Sequence, residues 1–283
     1  MVNLNICNQK AKRNIDAERD FPISNKQNDE LQTFYKRQAG IYDTVRSSIL
    51  DSFDEKIALL KKVGKFSYES KVAEIGVGTG KYISKIVKDT GCYGVGIDIN
   101  IDMLSIANKT KHSGVAYIQS DAERLPLKPG TLDIVFTVNS VHQIKNLKTT
   151  FLEFFKILKP GGKLLIITPE IYKLQDFLLY KACPFLFDFE KGRMPTRDLL
   201  ELYGIYAGFT NLKYIAPPQN NNTIPLEQFL FCIKHKFLTC LALLNTREIE
   251  DVLRRVKSLA VLNDISQVYP YEYMLVIFKK QEE

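Results

Sequence analysis

Short apolar runs alternate along this chain with amphipathic stretches of helical period. VAEI at 72–75, CYGVGIDIN with its end at Asp98, VAYIQ at 115–119, TLDIVFTVNS at 131–140 and KLLIITPE at 163–170 read as strands. Between them, KYISKIVKDT carries Ile83, Ile86 and Val87 on one helical face, and Gly91 stops it. IDMLSIANKT carries Met103, Leu104, Ile106 and Ala107, and LKTTFLEFFKIL carries Phe151, Phe154, Phe155 and Leu158. The KPGG that follows predicts a tight turn before the fifth strand. The fourth strand is near-continuously apolar, as a parallel strand buried on both faces is. Five strands alternating with helices predict right-handed crossovers in one open parallel sheet.

Outside this core the regularity weakens. Residues 1–30 are polar without a steady period and predict a mobile tail. The stretch 31–66 reads as two helices, with stripes at Leu31, Phe34 and Tyr35 and at Ile49, Phe53, Ile57 and Leu60. Beyond residue 170 comes an irregular aromatic segment, then the helix TRDLLELYGIYAGF, with Thr196 as N-cap and Gly208 as its stop. TNLKYIAP predicts a strand, LEQFLFCIKHKFLTCLALL and TREIEDVLRRVKSLAVL two helices, and YEYMLVIFKK a last strand. The chain therefore reads as one domain over 31–283, with helical insertions at 170–208 and 217–268.

Composition narrows the class only a little. The 283 residues are 45% hydrophobic and 25% charged, an ordinary globular mixture. The net charge of +7 is scattered in pairs such as Lys61 and Lys62 or Arg254 and Arg255, which reads as solvated helix faces rather than a nucleic-acid patch. Five cysteines without C-x-x-C spacing give no zinc or redox motif. With no signal peptide visible and no apolar run long enough to span a bilayer, they fit the expectation of a reducing cytoplasm.

The chemistry gathers where strands end. KVAEIGVGTG, at 71–80, puts Gly76, Gly78 and Gly80 on alternate positions before a helix. Such a turn lets a ligand approach the backbone and meet the helix N-terminus. Glu74 stands two residues before the first glycine, and Lys81 occupies the place where G-x-G-x-x-G has its third glycine. A carboxylate at that mouth repels pyrophosphate and favours a cation. S-adenosylmethionine, with a sulfonium and an ammonium and no phosphate, suits it. Asp98, Asp121 and Asn139 also fall just past strand ends, the edge where open α/β sheets bind ligands.

As an ordered series, VAEIGVGTG, GVGIDIN, QSDAERLPL, LDIVFTVNSVHQI and LKPGGKLLIIT resembles class I S-adenosylmethionine-dependent methyltransferases, in the small-molecule branch called methyltransferase type 11. The resemblance covers about residues 30–215. It implies a Rossmann-like, mostly parallel seven-stranded sheet with helices on both faces, its last strand antiparallel, and insertions forming a lid. By the same resemblance, Gly76, Gly78, Gly80 and Glu74 line the methionine part of the cofactor, and Asp98 accepts from the ribose hydroxyls. Ile99 and Met103 flank the adenine, Asp121 and Ala122 meet its edge, and Asn139 sits beside the transferable methyl. Tyr42 and Arg46 resemble the N-terminal lid segment. Met103 and Tyr42 read equally well as packing residues.

For the acceptor, the residues leave more open. His142, just past the fourth strand, reads either as a base or orienting group or as a locally bonded helix-start histidine. Arg193 and Tyr172 lie in the aromatic insertion where the family keeps its acceptor pocket. Arg193 would pair with an acidic acceptor, or be structural. The leading expectation is an enzyme moving a methyl group to O, N or C of a small molecule. The rivals are an RNA or protein methyltransferase and a non-catalytic protein that binds the cofactor. TVNSVHQI lacks the N/D-P-P-Y/F sequence that the resemblance ties to methylation of a base amine, which argues against nucleic acid as partner.

Overall fold

In this computed structural model the described residues are 33, 52–110, 113–216, 223–269 and 272–282. The tail expected over 1–30, the first of the two expected N-terminal helices, Tyr42 and Arg46 lie outside them. The second helix forms as α1, Phe53–Gly64, with its last amide-to-carbonyl turn closed by Lys65 in the left-handed region.

The strands and crossovers follow the apolar pattern: β1 Lys71–Ile75, α2 Lys81–Thr90, β2 Tyr93–Asp98, α3 Ile101–Lys109, β3 Val115–Gln119, β4 Leu132–Val138, α4 Leu147–Ile157 and β5 Leu158–Pro169. Then come α5 Ile171–Leu174, α6 Leu178–Ala182, α7 Pro184–Arg193, α8 Arg197–Ala207, β6 Asn211–Ile215, β7 Ile224–Pro225, α9 Leu226–Lys234, α10 Thr246–Leu262, β8 Gln267–Val268 and β9 Tyr273–Lys279.

The main sheet has seven strands in the order β3-β2-β1-β4-β5-β9-β6. All are parallel except β9, which runs antiparallel between β5 and β6. The chain moves outward from β1 to β3, then returns to the other side of β1. The strand order therefore reverses between β1 and β4, and the crevice beyond their carboxyl ends is the place for a ligand. Alternation buries both faces. Ile57, Leu60, Ile83, Ile86 and Leu104 pack on one face, against Val72, Phe136 and Leu165. Phe151, Phe154, Leu200 and Tyr203 pack on the other, against Ala73, Val135 and Leu164.

Both insertions leave and rejoin the sheet at this carboxyl edge, because β5 and β6 end there and the antiparallel β9 begins there. They fold onto each other around a third core of Leu179, Phe229, Leu241, Val252 and Val256, and so form one cap. The main chain ties the cap to the sheet through the Glu170 N–H donating to the Glu272 carbonyl (3.1 Å).

The structure departs from the sequence pattern in four places. The helix α8 belongs to the sheet layer rather than to the insertion, because Leu200, Tyr203 and Ala207 bury against the sheet. The apolar stretch 226–244 is not one helix: it breaks after Lys234, where Lys236 adopts φ 57°. A new helix then starts at Asn245, whose side chain and that of Glu248 cap each other's backbone amides. The strand β5 begins at Leu158, earlier than KLLIIT suggested, because Leu158 pairs with Leu132 before the register shifts at the KPGG turn. Finally, β7 and β8 pair as a two-residue ladder that no alternation announces.

Gly204 lets α8 lie close to the sheet. A Cβ there would fall 2.1 Å from the ring of Phe278, which is itself wedged between Phe151 and Phe209. Gly204→Ala is expected to lower unfolding stability by about 1–3 kcal/mol through overpacking, although Ala favours helix by about 1 kcal/mol over Gly. Urea denaturation checks this, and an increase in stability would contradict the packing described.

Candidate functional site

The three glycines of the turn after β1 all have positive φ, at 70°, 55° and 80° for Gly76, Gly78 and Gly80. They differ in what surrounds them. A Cβ on Gly76 would meet Ser140 Oγ at 2.3 Å, and one on Gly80 would meet the Tyr117 hydroxyl at 2.2 Å. A Cβ on Gly78 would meet nothing within 4 Å. Two glycines thus let the turn pack down on β4 and β3, and the middle one opens to the crevice as a cradle that a side chain would fill.

Two carboxyl groups hold this turn in place. Asp98, at the end of β2, accepts from the Gly78 N–H through Oδ2 (2.7 Å) and from the Asn100 N–H through Oδ1 (2.9 Å). Burial raises its pKa, and the amides of Asn100, Gly78 and Ile99 oppose that rise. Each carboxylate oxygen keeps a lone pair for a further donor. Glu74 is 1% exposed and accepts the Ile83 N–H at 2.9 Å, so it caps the first turn of α2 from below. Burial pushes its carboxyl well above the usual carboxylate range. The Ile83 amide opposes this shift, and the neighbouring charge of Asp98 adds to it.

The rest of the edge is assembled by β3 and β4. The Ser120 N–H donates to the Asp98 carbonyl (3.0 Å) and the Gln119 amide to the Ile99 carbonyl (3.1 Å), which join the segments after β2 and β3. Asp121 is exposed and turns its own loop by accepting from Glu123 N–H (2.9 Å). Ala122 packs at the margin of the sheet core. Ile99 is half exposed at the rim, whereas Met103 is buried, so Ile99 is the residue of that pair that offers an open apolar face. Asn139 adopts φ 53° at the end of β4, its N–H donating to the Ile167 carbonyl (2.9 Å). Its buried Oδ1 accepts no hydrogen bond from the described residues. His142 is buried in the 3₁₀ turn Val141–Gln143 just beyond.

The two acceptor-side residues sit elsewhere. Tyr172 is exposed on α5. Arg193 is 2% exposed inside the cap, with its Nη2 on Glu190 (2.7 Å) and its guanidinium facing Phe189. The expectation of a free cation for an acidic acceptor is corrected accordingly: its charge is matched within α7. Sequence reasoning also missed Ser140 and Tyr117, which shape the turn. Both act across strands, and only the crowding of Gly76 and Gly80 reveals them.

The fold and this edge define a Rossmann-like ligand-binding domain whose grip is a carboxylate-pinned glycine turn. Residues 73–166, a third of the chain, match the family model described as a methyltransferase domain. Phosphoethanolamine N-methyltransferase 2 of Caenorhabditis elegans is 32% identical over 118 residues, 40% of this chain and 27% of that protein. Demethylmenaquinone methyltransferase of Chlorobaculum tepidum is 27% identical over 154 residues, 53% of this chain and 63% of the relative. The chain thus spans less than two thirds of either relative. Among solved structures, Haemonchus contortus phosphoethanolamine N-methyltransferase 2, in complex with phosphomonomethylethanolamine and S-adenosylhomocysteine, superposes with a TM-score of 0.61 at 19% identity. That match covers 87% of this chain and 58% of the other.

The buried Glu74 gives a pH dependence of defined sign. Its folded pKa lies above the ordinary 4.5. Its contribution to stability is therefore full below pH 4.5 and is lost as pH rises from there through the folded pKa. Glu74→Gln removes that slope. Urea denaturation from pH 4.5 to 8 should show the variant gaining on the natural protein as pH rises, and a constant difference would contradict a raised pKa.

Proposed function

We propose that this protein is an S-adenosylmethionine-dependent methyltransferase acting on a small molecule in the cytoplasm. The observation that carries the reading is Gly78. Its backbone is pinned by Asp98, and it is the glycine of the turn whose Cβ position is open. The residues present fit the cofactor: an open backbone cradle and a carboxylate with spare lone pairs for ribose hydroxyls, with Asn139 placed beside the methyl end. Gly76, Gly80, Glu74, Ile99, Asp121 and Ala122 complete its surroundings, and Tyr42 and Arg46 are proposed as its N-terminal cover.

Bound there, S-adenosylmethionine supplies a methyl carbon made electrophilic by sulfonium. The chain's task is alignment: the turn fixes the donor, and the cap and the β4 edge hold the acceptor in line. In such a transfer the acceptor's lone pair would form the bond to carbon as the carbon–sulfur bond breaks, and sulfur would keep that electron pair as a neutral thioether. No acid is needed for the leaving group. An acceptor with an N–H or O–H must release a proton, and His142 is the group we assign to receive it. Several features support a small-molecule acceptor: the printed activities of the relatives, a cap built from both insertions, and the lack of N/D-P-P-Y/F after β4. Among the described residues no helix is long and apolar enough to cross a membrane. The free thiols of Cys92, Cys183, Cys232 and Cys240 suit a reducing compartment.

Isothermal calorimetry should show micromolar binding of S-adenosylhomocysteine, weakened at least about tenfold by Asp98→Ala through loss of its hydrogen bonds to ligand and turn. Gly78→Ala should cost about 1–2 kcal/mol of stability from its left-handed φ, yet abolish measurable binding by filling the cradle. Absence of binding to the natural protein would refute the reading. For His142→Ala, an unchanged pH profile of methyl transfer would remove His142 as the base.

A further inference from the structure

Thr168, the penultimate residue of β5, is fully buried, and its Oγ1 makes no hydrogen bond with the described residues. This sets it apart from the other wholly buried threonines of the sheet layer. Thr137 bonds to Ser140, and Thr150 donates to the Asn146 carbonyl at 2.9 Å. A buried hydroxyl left unpaired is disfavoured, and most native ones are satisfied. The register shows what lies beside it. Val138 of β4 pairs with Ile167 of β5, so the next residues, Asn139 and Thr168, are neighbours on strands ~4.8 Å apart. Asn139 contributes the second unsatisfied buried oxygen, Oδ1. The two unsatisfied oxygens thus belong to residues that follow the last paired positions of β4 and β5, on the carboxyl edge that also carries Gly78 and the His142 turn.

We infer that Thr168 is an acceptor-binding residue. Its hydroxyl and the Asn139 carboxamide together hold a methyl acceptor that presents an N–H or O–H at or next to the methylated atom. The chemistry of the two groups selects that class. An amide oxygen only accepts, whereas a hydroxyl both donates and accepts. A ligand N–H or O–H satisfies Asn139 Oδ1, and a neighbouring oxygen or a second lone pair takes the Thr168 proton, leaving the attacking lone pair free. A bare carboxylate brings no donor and leaves Asn139 unmet. Amine and hydroxyl acceptors, including a hydroquinol whose O–H flanks the reacting carbon, fit the pair. This inference rests on the methyltransferase reading above.

The test uses Thr168→Val, which keeps the shape and removes the hydroxyl, and Thr168→Ser, which restores it. Three quantities are measured on the full chain: the thermal midpoint without ligand, the Kd for S-adenosylhomocysteine, and methyl transfer from tritiated S-adenosylmethionine. The transfer assay uses the small-molecule fraction of an extract from cells lacking the gene, titrated by dilution. Thr168→Val should unfold at the same or a higher temperature and bind S-adenosylhomocysteine within about twofold of the natural protein. It should need about tenfold more extract for half-saturation, because a site polar group is lost, and Thr168→Ser should return near the natural value. Unchanged saturation by extract in Thr168→Val, or a lower thermal midpoint, would overturn the inference, the latter by showing that the hydroxyl is already bonded within the protein. Weakened S-adenosylhomocysteine binding would also overturn it, by placing Thr168 in the donor site. If the natural protein neither binds S-adenosylhomocysteine nor transfers methyl, the proposed function falls first and takes this inference with it.

Discussion

The ligand edge hangs on the hydrogen bond from the Gly78 N–H to the partly buried carboxylate of Asp98. It joins the turn after β1 to the end of β2, while Ser140 and Tyr117 crowd the glycines on either side. Glu74 does the parallel service one layer below by capping α2 at Ile83. Two carboxyl groups set close together in a buried place repel each other, and both pKa values rise with burial. The arrangement persists because their backbone partners hold them and because a cationic ligand would relieve the strain between them. A phosphate-bearing ligand would add negative charge beside them.

The sheet and the cap divide the labour. The sheet's strand reversal fixes the donor side through residues on short, rigid connections. The cap, with its own apolar core, is built from chain that leaves and returns at the same edge. Its buried Glu190–Arg193 pair serves that core rather than the crevice, where the buried oxygens of Asn139 and Thr168 lack partners among the described residues. The family model matches 73–166 and so takes in the sheet side but not the cap.

How legible this was in the sequence depends on the range of each interaction. The strands, α2, α3 and the stop of α8 at Gly208 follow from local periodicity and capping, and the strand-end positions of Asp98 and Asn139 follow from them. Contacts made across strands were not legible: Ser140 under Gly76, Tyr117 under Gly80, and Glu74 folded back to Ile83. The break at Lys236 was hidden because apolar residues continue on both sides of it, so composition alone suggested one helix. Arg193 looked available because its partner, Glu190, is one helical turn away and equally buried. Thr168 drew no notice in KLLIITP because a threonine in a strand is ordinary until its hydroxyl is seen to lack a partner.

The most direct measurement is the amide spectrum of the 15N-labelled protein during titration with S-adenosylhomocysteine. A donor grip built on the open glycine predicts that Gly78, Asp98 and Asn139 shift together and saturate, while NAD and ATP at the same concentration leave them in place. Movement of these amides with NAD or ATP, or none with S-adenosylhomocysteine, would contradict it.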